Sequence, residues 1–395
     1  MAGDGQRGER RKVLIAGGGI AGVEAALALR DLARDRIEVK LLDPRREFGF
    51  RPFAVGEPYG AARVFRCDLA TLAERCGATL RCAGVVSVEP QARAVVTRDG
   101  ERLSYDDLVV ASGVRMLWAV PGAVTFWGVA DEGQVGEVIA DLREGRLDRL
   151  VFTMPGGRSW ALPLYELALL AATELLRAGP GAHGTRLTVV TPEGAPLEVF
   201  GRQVSERMAE LLAERRIEVV CGAHPVKFAN GGLRIAPGGE IEADAVISLP
   251  RLEGRPPAGV PHDRDGFVGV DEHGRAIGCE HVFAAGDVTA FPVKQGGIAT
   301  QQADAVAEAI VAEAGVELEP RPFDPVLRGV LWTGAEPRYL YGRPTGGHGE
   351  ASSFGTEPQG TPQNGKLAGR YLVPFLDSLA EGPEPSVAAH SPQPR

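Results

Sequence analysis

Lys12-Val-Leu-Ile-Ala-Gly-Gly-Gly-Ile-Ala-Gly-Val-Glu-Ala-Ala-Leu27 decides how the chain folds. Lys12 to Ala16 is a short apolar run of the kind buried on both faces of a parallel sheet. Gly17, Gly19 and Gly22 follow as Gly-x-Gly-x-x-Gly, and from Ala21 to Ala33 the apolar residues recur with helical spacing. Ile37 to Leu42 reads as the next strand and closes a βαβ unit, with Asp43 at its end, 21 residues beyond Gly22. Each position has its own task. Gly17 permits the tight turn, Gly19 has no Cβ to block a diphosphate, and Gly22 lets helix and strand approach. The helix N-terminus offers free N–H groups to the anion. Asp43 is placed to accept ribose hydroxyls, which favours an unphosphorylated adenosine ribose, as in FAD or NAD, over NADP. The constellation alone does not choose between FAD and NAD.

Outward from this unit, 395 residues exceed one typical domain, and 52 Gly with 29 Pro show no period, so many tight turns are expected. A net charge of −9 supplies no surplus to neutralise phosphates, which argues against nucleic acid as a partner. Five cysteines, none in a Cys-x-x-Cys pair, suggest neither a disulfide framework nor a zinc ribbon, and no metal site is expected. No signal-peptide pattern and no uncharged run of spanning length are seen, so the expected location is cytoplasmic, with peripheral membrane contact left open. Oligomeric state is not legible.

A second α/β unit begins at Leu150, with a helix from about Pro163 to Arg177, a strand Arg186 to Thr191 and a helix Arg202 to Arg215. Val114 to Gly122 reads as a domain crossing and Pro250 through Pro261 as a linker. Strand Val282 to Ala285, Gly286-Asp287 and a helix from about Gly297 to Ala314 follow, with Gly315 as its stop.

Two later segments, taken with the first, carry a resemblance. Tyr105-Asp-Asp-Leu-Val-Val-Ala-Ser-Gly113 is similar to a strand ending in Ala-Thr-Gly, with Ser112 in place of Thr, and Val282-Phe-Ala-Ala-Gly-Asp287 matches a flavin motif. Together they identify the chain as similar to the two-dinucleotide-fold FAD oxidoreductases, the pyridine nucleotide-disulfide oxidoreductase superfamily. Within it the chain looks closest to the branch of sulfide:quinone oxidoreductases and type II NADH dehydrogenases. The implied fold is α/β, a Rossmann-like FAD domain with an inserted, degenerate second dinucleotide-binding-like domain and a small C-terminal cap. The expected parts are 10–120 and 262–325 for the FAD domain, 121–261 for the central domain, 326–381 for the cap and 382–395 for a disordered tail. The resemblance implies FAD as cofactor, held by Gly17, Gly19, Gly22, Asp43, Ser112, Gly113, Gly286 and Asp287.

The family's second Gly-x-Gly-x-x-Gly has no counterpart in Leu150-Val-Phe-Thr-Met-Pro-Gly-Gly-Arg-Ser-Trp160, so NAD(P)H in the standard mode is doubtful. The loop resembles the sulfide:quinone branch, yet Trp160 stands where that branch has a redox cysteine, and no cysteine follows Cys279. Cys67, Cys76 and Cys82 read as small buried hydrophobes. Lys294, before a glycine-led helix, would stabilise negative charge on a reduced flavin and is the candidate catalytic residue; a surface lysine is the equal alternative. Gln301 matches the family's quinone-side glutamine. Phe50, Arg51 and Pro52 would line the ring's face or form a simple lid. The segment Lys366 to Glu381 is amphipathic and is expected to pack over the FAD domain, with membrane contact as the other reading. The chain is thus expected to pass two electrons from a small, sulfide-type or other reductant to a quinone-like acceptor. An NAD(P)H-dependent reductase and a non-catalytic FAD-binding sensor or scaffold are the alternatives.

Overall fold

The structure, a computed structural model, describes residues 10–128, 133–178, 184–344, 352–358 and 366–380. The expected tail 382–395 lies outside them. The helices are α1 (Ile20–Ala33), α2 (Leu69–Arg75), α3 (Gln134–Arg143), α4 (Leu162–Ala178), α5 (Arg202–Glu214), α6 (Gly296–Glu313) and α7 (Leu372–Ala380).

Two five-stranded parallel sheets organise the chain. The first runs in the order Val282–Ala284, Asp107–Val110, Arg11–Ala16, Ile37–Leu42, Ala78–Arg81, so its strands come from both ends of the sequence. Its central strands are buried on both faces, which is why they read as unbroken apolar runs rather than as alternation. α1 and α6 pack against each other, and alanines recur at helical spacing in the core they share, Ala21, Ala25 and Ala28 on α1 and Ala299, Ala303 and Ala307 on α6. Such small side chains let the two helix axes approach closely. Gly315 takes φ 77° and its N–H bonds to Ala312 O, ending α6 as the sequence anticipates.

The second sheet has the order Val124–Thr125, Ala245–Ser248, Arg149–Thr153, Arg186–Val190, Ile217–Val220. Strand Val114–Leu117 leads into it and strand Arg251–Gly254 leads out, and the two pair antiparallel from Val114↔Gly254 to Leu117↔Arg251. This corrects the reading of 250–261 as a plain linker. The stretch begins as a strand before Pro256-Pro257, because its crossing partner supplies the hydrogen bonds that an isolated segment lacks.

A three-stranded antiparallel sheet (Leu327–Leu331, Arg338–Gly342, Ser353–Gly355) and α7 form the C-terminal part, and two more three-stranded antiparallel sheets (within 85–104 and 224–242) and a two-stranded one (within 47–68) flank the parallel sheets. α7 starts at Leu372, later than the Lys366 suggested by periodicity. Pro374 sits in its first turn, where a missing N–H leaves no hydrogen bond unmade. Glu24 of α1 accepts N–H bonds from Tyr371 (3.0 Å) and Leu372, fastening the start of α7. Tyr371, Leu372, Phe375 and Leu376 pack on the core that contains α1 and α6, so packing over the first half prevails over an exposed apolar face. Among the described residues no helix is long and apolar enough to cross a membrane.

Candidate active site

A cavity of about 900 Å³ runs along the carboxyl ends of the first sheet and reaches the second. Ligands of open α/β sheets bind at this edge. Gly17, Gly19, Asp43, Ser112, Gly113, Gly286, Asp287 and Lys294 all line it. Gly22 does not line it and stands behind the turn.

The turn is built from steric necessity. Gly17 has φ 125°, and a Cβ there would lie 2.2 Å from Ala111 O. A Cβ on Gly22 would lie 1.9 Å from Gly17 O, so helix and turn touch through this position. At Gly19 a Cβ would meet nothing within 4 Å. Its open side faces the cavity, where a diphosphate can approach the first N–H groups of α1.

Asp43 is almost wholly buried. Its carboxylate accepts the Gly18 N–H (2.7 Å), the Arg45 N–H (2.8 Å) and two guanidinium contacts from Arg45 (3.0 and 2.8 Å). Burial alone would raise its pKa, but Arg45 outweighs that and holds the carboxyl below its usual range. Arg45 is thus a partner of Asp43 that the motif did not disclose.

Further along, Ser112 Oγ is buried without a hydrogen-bond partner, and Gln295 Oε1 is another such atom on the cavity wall. Orphaned buried polar atoms are costly unless a ligand answers them. Asp287 takes no hydrogen bond from any described residue. Burial holds its pKa above the usual carboxylate range, against the opposing pull of Lys294 and Arg51. An open glycine turn at one end, unanswered polar atoms in the middle and this acid at the other fit an extended adenine dinucleotide.

Lys294 is not a surface lysine. It is 6% exposed, its ammonium donates to Thr289 O (2.6 Å) and lies 4.2 Å from the centre of the Phe267 ring. Burial lowers its pKa to about 8, against the opposing pull of Asp287. The charge is retained at neutral pH because the carboxylate and the ring face stand in for lost water.

Sequence reasoning missed a second buried cation. Lys366 and Glu166 both line the cavity and form a direct ion pair. Glu166 Oε1 also accepts the Trp332 N–H (2.8 Å), and Lys366 Nζ lies 4.0 Å over the Trp332 ring. Burial raises the Glu166 carboxyl and lowers the Lys366 ammonium, and each partner opposes the shift of the other. Glu166 stands next to Tyr165 in the loop-helix segment read above, but 200 residues separate it from Lys366, and no local pattern signals such a pair.

Other candidates fall elsewhere. Gln301 does not line the cavity; its amide donates to Gly297 O (2.6 Å) and Val326 O (2.9 Å) and accepts the Val326 N–H (2.9 Å), tying α6 to the C-terminal sheet. Phe50 is buried in the core, while Arg51 and Pro52 line the cavity and Phe53 stacks on Trp332 at 5.7 Å. Trp160 lines the cavity and leans on Phe200. None of the five cysteines lines it. Burial pushes Cys67 up to about 11 and Cys76 up to about 12, so neither is a ready nucleophile. Cys82, expected to be buried, is exposed.

The sequence profile of the pyridine nucleotide-disulphide oxidoreductases matches residues 11–154 and 165–310, the segments that build both parallel sheets and most of the cavity's lining. The chain belongs to that family. Like other members of this pyridine nucleotide-disulphide oxidoreductase family, it is of the FAD oxidoreductase class. It is 26% identical over 217 residues to a sulfide-quinone reductase of Aquifex aeolicus, a match covering 53% of this chain and about half (50%) of that protein. It is 28% identical over 311 residues to an NADH dehydrogenase-like protein of Mycobacterium tuberculosis, covering 71% of this chain and 73% of the relative. The solved sulfide:quinone oxidoreductase of Aquifex aeolicus superposes with a TM-score of 0.79 at 23% identity, over 88% of this chain and 87% of that one, which shows a shared fold.

Proposed function

We propose that this family member passes two electrons from a small, sulfide-type reductant through FAD to a quinone-like acceptor. One observation carries the reading: a single cavity joins the Gly17–Gly19 turn and Asp43 to Gly286, Asp287, Lys294 and the Glu166–Lys366 pair. FAD, when bound there, supplies the two-electron chemistry.

The chain's own residues bind, tune and supply protons. The N-terminus of α1 and Gly19 take the diphosphate, and the Asp43–Arg45 pair takes the adenosine ribose. Ser112 and Asp287 answer hydroxyls of the ribitol chain, and Gly113 and Gly286 keep the backbone close to it. Lys294 and the N-terminus of α6 place positive potential where a reduced ring gathers negative charge. Glu166 and Lys366 hold a proton at the cavity wall for an acceptor that takes up two electrons and two protons. With no cysteine on the wall, the chain offers no thiol relay there, and FAD would have to take the electrons from the donor itself.

The experiment is direct. Purified protein should be yellow, sulfide should bleach it without oxygen, and a short-chain quinone should restore the colour. A folded protein that takes up no flavin would end this reading.

Lys294 gives a pH prediction. Its cation is present below about pH 8 and lost above it. The rate of flavin reduction should therefore fall as pH rises through about 8. Lys294→Met should lower the rate about a hundred-fold, the lower end of the loss seen for one preorganised electrostatic partner, and flatten that step. Stopped-flow absorbance across pH 6–10 checks both, and an unchanged pH step in the variant would assign it to another group.

A further inference from the structure

The second sheet repeats the plan of the first, then blocks the place where a second dinucleotide would lie. In the first sheet Ala16 faces Leu42, and the residue after that strand is Asp43. In the second, Thr153 faces Val190, so the equivalent residue is Thr191, which has no carboxylate. The nearest acid, Glu193, is already engaged. Its Oε2 accepts the Thr191 hydroxyl (2.9 Å) and the hydroxyl of Tyr165 (2.6 Å), a fully buried residue of α4.

The phosphate end is closed as well. Three residues, Gly17–Gly19, connect strand to helix in the first sheet; eight, 154–161, do so in the second. This longer loop is fastened across to the flavin half. Ser159 N–H donates to Pro292 O (3.2 Å) and Lys294 N–H to Ser159 O (3.0 Å). Arg158 pairs with Asp263 (2.9 Å), donates to Ala290 O (3.0 Å) and lies 4.7 Å over Phe267. A Cβ on Gly156 would meet the His224 imidazole at 3.1 Å, whereas at Gly19 it meets nothing. Pro163, second in α4, has no N–H, and the Leu164 N–H is bonded to Ala161 O. The start of α4 therefore has two fewer free donors in its first turn than a helix that presents them all to an anion. Of the loop, Met154, Pro155, Ser159 and Trp160 line the cavity, but Gly156, Thr191 and Glu193 do not.

We propose that the fastened loop 154–161 and the Tyr165–Glu193 contact make this protein reject nicotinamide dinucleotides. They restrict the donor to a compact molecule that enters past Trp160 and Met154 without an adenosine anchor. The inference rests on the reading above that a donor reduces bound FAD, and it specifies which class of donor is refused.

The test uses full-length, FAD-loaded protein. ADP-ribose, which carries the adenosine and diphosphate of NADH but cannot reduce a flavin, is titrated by calorimetry. NADH and NADPH are then mixed anaerobically and the flavin band followed. The expected result is no saturable ADP-ribose binding up to about 1 mM, the upper end of ordinary substrate affinities. Bleaching by either nucleotide should rise linearly with concentration, without a plateau. Saturable ADP-ribose binding, or NADH reduction with half-saturation below about 1 mM, overturns the proposal and leaves the flavin reading standing. Protein that cannot be loaded with FAD would overturn the earlier reading instead, so the two failures are distinguishable.

Discussion

Gly22→Ala is expected to strip the protein of FAD and lower its melting temperature by several degrees. The added carbon would sit 1.9 Å from Gly17 O, a backbone atom with little freedom to retreat. Gly17 is anchored by its N–H bond to Leu42 O (2.8 Å), and its own φ of 125° is already reserved for glycine. Overpacking ordinarily costs about 1–3 kcal/mol, and a contact with fixed backbone belongs at the upper end of that range. Relief would come from moving α1 off the sheet, which also withdraws its N–H groups from the diphosphate. Gly19→Ala should behave differently. Nothing in the protein opposes its Cβ, so apoprotein melting should hardly change while flavin content falls. Thermal melts of apoprotein and absorbance of the loaded protein separate the two. Full flavin occupancy in Gly22→Ala would mean that the turn does not grip the cofactor.

Lys366→Met should be the most damaging change to a side chain on the cavity wall. It leaves Glu166 at 2% side-chain exposure with only the Trp332 N–H for company. Removing one member of a buried ion pair typically costs about 3–5 kcal/mol because the other charge stays uncompensated. The double variant Lys366→Met, Glu166→Gln removes both charges and should recover much of that loss. The sign with pH follows from the direction of the Glu166 shift. Its folded pKa is raised by burial, and without Lys366 it rises further, so the folded state favours the protonated form. The single variant should be most stable in acid and lose stability as pH climbs above the ordinary glutamate range, whereas the double variant should lack that slope. Denaturant melts at pH 5 and pH 8 measure it, and equal losses at both would show that the pair is hydrated.

The parts of this protein that could be read in advance are those that local chemistry dictates. A Gly-x-Gly-x-x-Gly between an apolar strand and a helical period can be met by few backbones, and Asp43, Ser112 and Asp287 reach the cavity because each ends or follows a strand of one sheet. The rest depends on partners that only folding brings near. For Lys294 the motif leaves a flavin-facing cation and a surface lysine in balance until Phe267 and Asp287 are known to surround it. Lys366 lies far from Glu166 in sequence, and Arg45 looks like one of several charges in a polar stretch until its fork closes on Asp43. Gln301 shows the opposite error. Its motif position suggested the cavity, but Val326 offers its backbone donor and acceptor within reach, and the amide is engaged there. The strand Arg251–Gly254 was hidden for the same reason, since its pairing partner lies more than a hundred residues earlier.

That pairing also makes the middle of the chain separable in principle. Leu117 and Arg251 face each other where the paired strands enter the second sheet, and opposed residues of an antiparallel pair sit only about 5 Å apart. A two-residue turn spans that gap. Excision of 118–250 with such a closure would leave the first sheet's five strands and their order untouched, since none of them originates inside the excised stretch. The central unit thus enters and leaves the chain's first half through one paired stem, so growth or loss within it spares the host's strand order, while the core it shares with Ala54, Tyr59, Val293 and Ile298 is what such a change would have to rebuild.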